Sequence, residues 1–483
     1  MESGHDEPEA SQRLEEIENL IMGAQDSRVE GDMDSSIAML RMALNQCNKE
    51  LRNSDGCPTS RAVVLRMRQM GAYQLAMLLL QRDGRRARVE DEGDSATSTE
   101  ETEADLILRR LGYRLRLSKL ALGYIQRTGK RVGPLRASNR PPSAVQVVDG
   151  AMPSQLFQSL QHALRPQSKY WRHFYSKAEN QFASHNISLV NDRASSVEQR
   201  LKNSKSLFEQ IAIIAQEQLS TRFPQIAHAT SVEVWAHKRP ADGQHQLHYD
   251  MDEVLLHTVL MGDDCDHKRQ KIQSQSGPAK SSDIYRCISC PTVSCVITIS
   301  PGASAAPTLI CNQSITKHCG YETNCGWLCY PAPNRLIAFE GSLLHGVMPG
   351  IPSANSSEGD RVTLMLGFWN KTVQLTQTQD SSIGPNLPFV VTKTNEWTSE
   401  FNAVQMNKGF SFAKASEASP INAIETIDPL WNGTELSSSD DESIAFGEYR
   451  RSGEKQRFSG RFFLETKRTA QIDSEILHRN CVD

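Results

Sequence analysis

Two periodicities divide the chain. From residue 12 to 126 apolar positions recur at helical spacing: Leu14, Ile17, Leu20 and Ile21 fall at i, i+3, i+6 and i+7, one face of a helix. After the Gly31-Asp32 break a second helix is expected to carry Ile37, Leu40, Ala43 and Leu44. A looser echo follows at Gly71–Leu80, with a partner helix expected over Asp105–Leu117. Beyond residue 147 two further helical segments, Pro153–Leu164 and Ser196–Leu219, precede short β-rich runs. These runs are Ser231–Ala236, Val254–Met261, Thr292–Ile299, Pro307–Cys311, Arg335–Phe339 and Arg361–Trp369. Clusters of Pro, Gly and Ser separate them, which is the pattern of a sandwich or barrel of short strands. The fold class expected is α+β, with an α-helical N-terminal part and a β-rich part flanked by helices.

Between these units the composition shifts. Residues 1–11 and 90–105 are polar, and the second stretch is dense in Glu, Asp, Ser and Thr without an aromatic. Such segments bury too little apolar surface to offset their ordering entropy, so both are expected to stay unfolded. Arg109 to Arg140 is the reverse: ten basic residues and no acidic one. This stretch has the field to attract nucleic acid, but a solvated helix face with a basic linker over 127–146 is the simpler reading. A polar insertion is expected at 262–284. The extension 371–483 is Ser/Thr/Asn-rich, is expected to be partly disordered, and has one strand-like run at Arg461–Leu464.

The totals refine this division. A chain of 483 residues suggests about three domains. A net charge of −4 excludes a polycation or an acidic solvating polymer. Eleven cysteines are too few for a disulfide-stapled scaffold and point to a reducing compartment. The N-terminus lacks a basic segment followed by an apolar run, so no secretory leader is expected. The longest apolar run, Tyr73–Leu80, is too short to span a bilayer. A cytoplasmic or nuclear protein without a membrane partner is the expectation, with Lys268-Arg269-Gln270-Lys271 as a short basic import candidate.

The segment richest in chemistry is Gln244-His245-Gln246-Leu247-His248-Tyr249-Asp250. In extended backbone His248 and Asp250 share a face, and an imidazole with a carboxylate supplies two ligands of a two-histidine, one-carboxylate iron site. His-x-Asp/Glu alone is weak: about one or two matches are expected by chance in a chain of this composition. Context strengthens it, because the run Arg335–Val347 places His345 on a later strand. The run Arg361–Trp369 puts Arg361 and Thr363 on one strand face. An arginine inside a barrel requires an anionic partner, and its planar fork suits a carboxylate. His245, His257 and Asp252 are local competitors, with His245 and Asp252 better suited to supporting the ligands.

In these residues the chain resembles the Fe(II)/2-oxoglutarate-dependent dioxygenases, in particular the prolyl 4-hydroxylase-like branch. The order His248-Tyr249-Asp250, Val293–Ile299, Ala305-Ala306-Pro307-Thr308-Leu309, Arg335–His345 and Arg361-Val362-Thr363 carries the resemblance, over about residues 232–369 and more loosely over 147–231. It implies a double-stranded β-helix, or jelly-roll, domain over 147–370. Fe(II) would lie on His248, Asp250 and His345, and 2-oxoglutarate would meet Arg361, Thr363 and Thr298, with ascorbate as a reductant. No catalytic residue beyond the metal site is implied. The substrate implied is a protein side chain, prolyl in the first instance. Three departures stand out: Ala305-Ala306 where relatives often carry glycines, Thr298 where some present a tyrosine, and a longer His345–Arg361 spacing. The nucleic-acid-demethylating branch would place a second arginine at position 367, which is Gly367 here.

The helices at residues 12–126 carry a fainter resemblance. Ala24, Gly31-Asp32, Ser36-Ile37 and Ala43-Leu44 are ordered as in one tetratricopeptide hairpin, which implies a protein partner for these helices. Ordinary antiparallel helices give the same pattern. A second metal site is conceivable at Cys265, His267, Cys287 and Cys290, four ligands at zinc-like spacing. The competing function is a scaffold whose β domain is catalytically silent, and a third is an oxygenase anchored on nucleic acid by residues 109–140.

Overall fold

The computed structural model describes residues 7–29, 32–53, 58–90, 102–110, 117–118, 121, 144–176, 181–189, 195–239, 245–252, 289–302, 305–314, 325–348, 359–371, 386–388, 396–405, 423–428 and 430. Among these it is a mixed structure of helices and mainly antiparallel sheet. The expected insertion 262–284, the run Val254–Met261 and the run Arg461–Leu464 lie outside the described residues, as do nearly all of 111–143.

Four helices open the chain: α1 (Glu7–Val29), α2 (Met33–Asn53), α3 (Pro58–Glu90) and α4 (Glu103–Arg110). The first pair packs as the periodicity requires, with Ile17 and Ile21 of α1 buried against Ala43 and Cys47 of α2 and Val64 of α3. Asp32 caps α2 by accepting from the Ser35 N–H at 2.9 Å, and hydrogen bonds from the Ser35 side chain and then its backbone hold the Asp32 carboxyl below the usual range. The Ser36 hydroxyl donates to the Ala24 carbonyl at 2.6 Å, tying α2 to α1.

Helix α3 is continuous through Gly71–Leu80, and Leu75–Leu80 is buried without a break. A helix apolar on all sides has to be covered on all sides. Here α1 and α2 cover one flank, and the outer face of a β-sheet covers the other. Helix α4 starts at Glu103, inside the segment expected to be unfolded. The cause is a reciprocal cap: Asp105 N–H donates to Thr102 Oγ1 at 3.2 Å, and Thr102 N–H donates to Asp105 Oδ2 at 3.0 Å.

The β-rich part contains fourteen named strands among the described residues: β1 (Val145–Val148), β2 (Tyr175–Ser176), β3 (Gln181–Phe182), β4 (Ser184–Ser188), β5 (Ser231–Arg239), β6 (His245–His248), β7 (Val293–Pro301), β8 (Thr308–Ser314), β9 (Gly326–Cys329), β10 (Arg335–Glu340), β11 (Leu343–Val347), β12 (Arg361–Trp369), β13 (Asn386–Pro388) and β14 (Ile424–Ile427). A major sheet has the order β1-β10-β7-β12-β5-β4-β13, antiparallel except for β13 on β4. A minor antiparallel sheet has the order β14-β9-β8-β11-β6. Strand alternation sorts the side chains of the major sheet. Val232, Val234, Val293, Cys295, Ile297, Val362, Leu364, Leu366 and Phe368 pack outward under helices Ser154–Ala163 and Leu207–Leu219. Inward-facing Val145, Val147, Ile337 and Phe339 meet Ile310, Trp327, Cys329 and Leu343 of the minor sheet. Leu247, Leu309, Cys311, Leu328 and Leu344 face out from the minor sheet into the cluster that contains α3.

Several boundaries differ from expectation for identifiable reasons. The helix expected over Ser196–Leu219 is two helices, Val197–Asn203 and Leu207–Leu219, because Ser206 restarts the backbone by accepting from Glu209 N–H at 3.2 Å. The Arg335–Val347 run is two strands turning at Gly341-Ser342, where a Cβ on Gly341 would collide with the Pro291 carbonyl. Strand β1 begins inside the expected linker. The extension beyond 370 adds β13 and β14 to the sheets and fastens Glu400 to Arg165 by two bonds of 2.8 Å.

Candidate metal centre

The polar residues that the two sheets enclose lie toward β5, β6, β11 and β12. Strands β6 and β11 are antiparallel neighbours with His345 opposite His248, so their imidazoles meet at a centroid separation of 4.3 Å. Asp250 follows β6 by two residues. Its Oδ1 lies 3.7 Å from His248 Nε2 and 3.6 Å from His345 Nε2. One ligand atom from each residue falls within 4.8 Å of the others. Two atoms bound to one ion at about 2.0–2.2 Å lie no more than about 4.4 Å apart, so both carboxylate–imidazole separations suit a shared metal.

The surrounding groups orient these side chains. His345 Nδ1 lies 2.9 Å from the Leu343 carbonyl; donating its proton there leaves the Nε2 lone pair facing Asp250. Phe339, reaching from the major sheet, packs on the His345 ring at 4.6 Å. Asp250 Oδ2 accepts a 2.6 Å bond from Ser294 Oγ. The site opens toward solvent on one side, since the His248 side chain is 28% exposed and those of Asp250 and His345 are 12% and 8% exposed.

The second expected group lies on the same inner surface. Arg361, 3% exposed, reaches across to the minor sheet, donating to the Ala306 carbonyl and to Thr308 Oγ1 at 3.3 Å. Thr363 is the register partner of Thr298 on β7 and of His237 on β5, forming a polar row across three strands. Thr298 is fully buried, and its hydroxyl has no hydrogen-bond partner among the described residues. Sequence reasoning missed His237. Burial, with Arg239 and His248 nearby, drives its pKa well below the ordinary value and keeps the ring neutral. The expected run Ser231–Ala236 stops one residue short of it; strand β5 extends to Arg239, and its alternation puts His237 on the inner face, opposite Thr363.

The remaining candidates separate clearly. Asp252 is buried and bridged to Lys371 at 3.2 Å, which removes it from the ligand set. The His245 side chain and His257 lie outside the described residues, as do Cys265, His267 and Cys287 of the zinc proposal. Cys290 is described; burial and the nearby Asp250 charge push its thiol up to about 12, so it is a poor source of thiolate. Ala305 has φ 43°, the left-handed region that favours glycine, at the turn where the resemblance led us to expect one. Above Gly367, Trp369 Nε1, Pro291 and Trp235 come within 3.2–3.6 Å of where a Cβ would lie, so no arginine fits there.

No family model matches the chain, and no curated protein matches it. Solved structures similar to it include an oxidoreductase of the 2OG-Fe(II) oxygenase family from Burkholderia pseudomallei. That match has 10% identity, 30% of this chain, 44% of that chain and a TM-score of 0.16, so it spans less than half of that relative. Apo HygX from Streptomyces hygroscopicus matches at 14% identity over 51% of this chain and 91% of its own, with a TM-score of 0.25. HygX with nickel and 2-oxoglutarate bound matches at 13% identity over the same shares, with a TM-score of 0.23. At such identities the chemistry has to be argued from the residues of this chain.

Proposed function

We propose that this protein is an Fe(II)- and 2-oxoglutarate-dependent oxygenase built on a jelly-roll, hydroxylating a protein side chain of the prolyl kind. The observation that carries this reading is the convergence of His248, Asp250 and His345, with one carboxylate oxygen facing both imidazole Nε2 atoms. Two neutral imidazoles and a carboxylate suit Fe(II) and leave positions open on it. The fit to 2-oxoglutarate rests on the buried Arg361 guanidinium beside Thr308, and on the buried Thr298 hydroxyl, which has no partner among the described residues. Cation and hydroxyl together are what a distal carboxylate requires.

When bound, iron and 2-oxoglutarate supply the oxidising chemistry, in which O2 converts the co-substrate to succinate and CO2 and one oxygen atom enters a substrate C–H bond. The chain's own part is to hold and to exclude. His248, Asp250 and His345 would hold the metal, and Leu343 keeps the His345 proton on Nδ1. Arg361 and Thr363, with Thr298, would orient the co-substrate. Neutral His237 adds polarity to that wall without adding charge. The partly exposed His248 side is where a side chain on another protein would approach.

Purified protein with Fe(II), 2-oxoglutarate and ascorbate is expected to form succinate, and Asp250→Ala is expected to abolish it. Failure of the wild-type protein to bind Fe(II) or 2-oxoglutarate leaves the silent scaffold as the reading.

A further inference from the structure

We infer that Ser294 is a positioning residue for the metal centre, holding Asp250 to the metal through a single oxygen. This rests on the oxygenase reading and deepens it. The two carboxylate oxygens of Asp250 have different neighbours. Oδ1 faces His248 Nε2 and His345 Nε2, whereas Oδ2 accepts the Ser294 hydroxyl at 2.6 Å. A hydroxyl bonded to a carboxylate makes a strong, directional contact that engages one lone pair of Oδ2 and so competes with a second metal bond there. One-oxygen ligation matters for coordination number. Three protein ligands leave three positions on a six-coordinate ion, enough for a chelating co-substrate and O2. Asp250 binding through both oxygens would remove one of them.

The location of Ser294 suits this task. It is buried on β7, in the interior of the major sheet, with Phe339 on one side and Gly367 on the other as register partners. Its neighbour Phe339 packs on His345, so two adjacent inward positions of the major sheet support two ligands that come from outside that sheet. Groups on sheet interiors hold a ligand more tightly than groups on loops. Asp250 needs this support because it lies beyond the end of β6 and has no strand ladder of its own.

The test is Co(II) binding to the full chain, read by titration calorimetry and by the rise in Tm that Co(II) produces. Ser294→Ala is expected to weaken Co(II) binding about tenfold or more, the usual scale for groups that orient metal ligands. Ser294→Thr, which keeps the hydroxyl, is expected to restore wild-type affinity, and the metal-free Tm of both variants is measured so that lost metal binding is separated from lost fold. Unchanged Co(II) affinity in Ser294→Ala overturns the inference and leaves the oxygenase reading standing. A loss that Ser294→Thr does not restore also overturns it, because the hydroxyl is then not the agent. A wild-type protein that binds no Co(II) overturns the oxygenase reading itself.

Discussion

Replacing Arg361 tests the co-substrate pocket most directly, because its guanidinium is buried on the inner surface beside Ala306 and Thr308. Consider Arg361→Met, which keeps the length of the chain and removes the charge. Metal-free folding stability is measured alongside, so that a loss of affinity is separated from a loss of folded protein. Co-substrate binding sets the expected size of the effect. A carboxylate held by the guanidinium through two charge-assisted bonds gains about 1.5–3 kcal/mol from each, so its loss costs about 3–6 kcal/mol. That corresponds to roughly two to four orders of magnitude in affinity. Arg361→Lys keeps the charge without the fork and is expected to lose less. Calorimetric titration of Mn(II)-loaded protein with 2-oxoglutarate measures the affinity, and thermal unfolding of the metal-free protein measures the stability. If wild type binds 2-oxoglutarate and Arg361→Met binds it equally well, the guanidinium does not meet the carboxylate and the reasoning fails. A variant that loses affinity only in proportion to lost folded protein refutes it equally.

Other perturbations test the scaffold around the site. Ala305 occupies a left-handed backbone conformation at about 1–2 kcal/mol of strain. Ala305→Gly relieves that strain but loosens the unfolded chain, so a net gain of about 0.5 kcal/mol is expected, read as a small rise in denaturation midpoint. Gly367→Ala sets a Cβ 3.2–3.3 Å from Trp369 Nε1 and Pro291 Cγ; about 1–3 kcal/mol of destabilisation by overpacking is expected in chemical denaturation. The Arg165 guanidinium bonded to Glu400 holds that carboxyl below its ordinary value of 4.5. The stabilisation is therefore present above pH 4.5 and is lost as pH falls through the lowered folded-state value. Because the pair is partly exposed, Glu400→Gln is expected to remove at most about 1 kcal/mol at pH 7 and progressively less as pH falls below 4.5, by urea unfolding at each pH.

Much of the site was legible because its signals are local. Strand β12 has the bounds that its apolar run predicts, Arg361–Trp369, since a strand buried on both faces is written as continuous apolar sequence around its polar inner positions. The His248-Tyr249-Asp250 spacing and a histidine on a later strand sufficed to nominate the three residues that converge. Ser294 carried no such signal: a serine in a strand has no motif, and it comes from a different sheet than the strand that supplies His248. His237 was hidden for the same reason, and strand alternation could have exposed it only once Thr363 was known to be its neighbour. The short strand β9 and the late strand β14 acquire their roles only by pairing: β9 lies between β8 and β14, and β14 adds to the sheet through β9.

The amino-acid sequence by itself determined the helical and strand periods, the ligand types and their order, and the acidic, basic and polar stretches between them. Each of these depends on residues within a few positions of one another. Only the tertiary structure decided which carboxylate oxygen faces the imidazoles, that α3 is covered by the minor sheet, and that Trp369 and Pro291 close the space over Gly367. Those outcomes depend on strand order and sheet packing, which join residues far apart in the chain by burial and hydrogen bonding that no local pattern encodes.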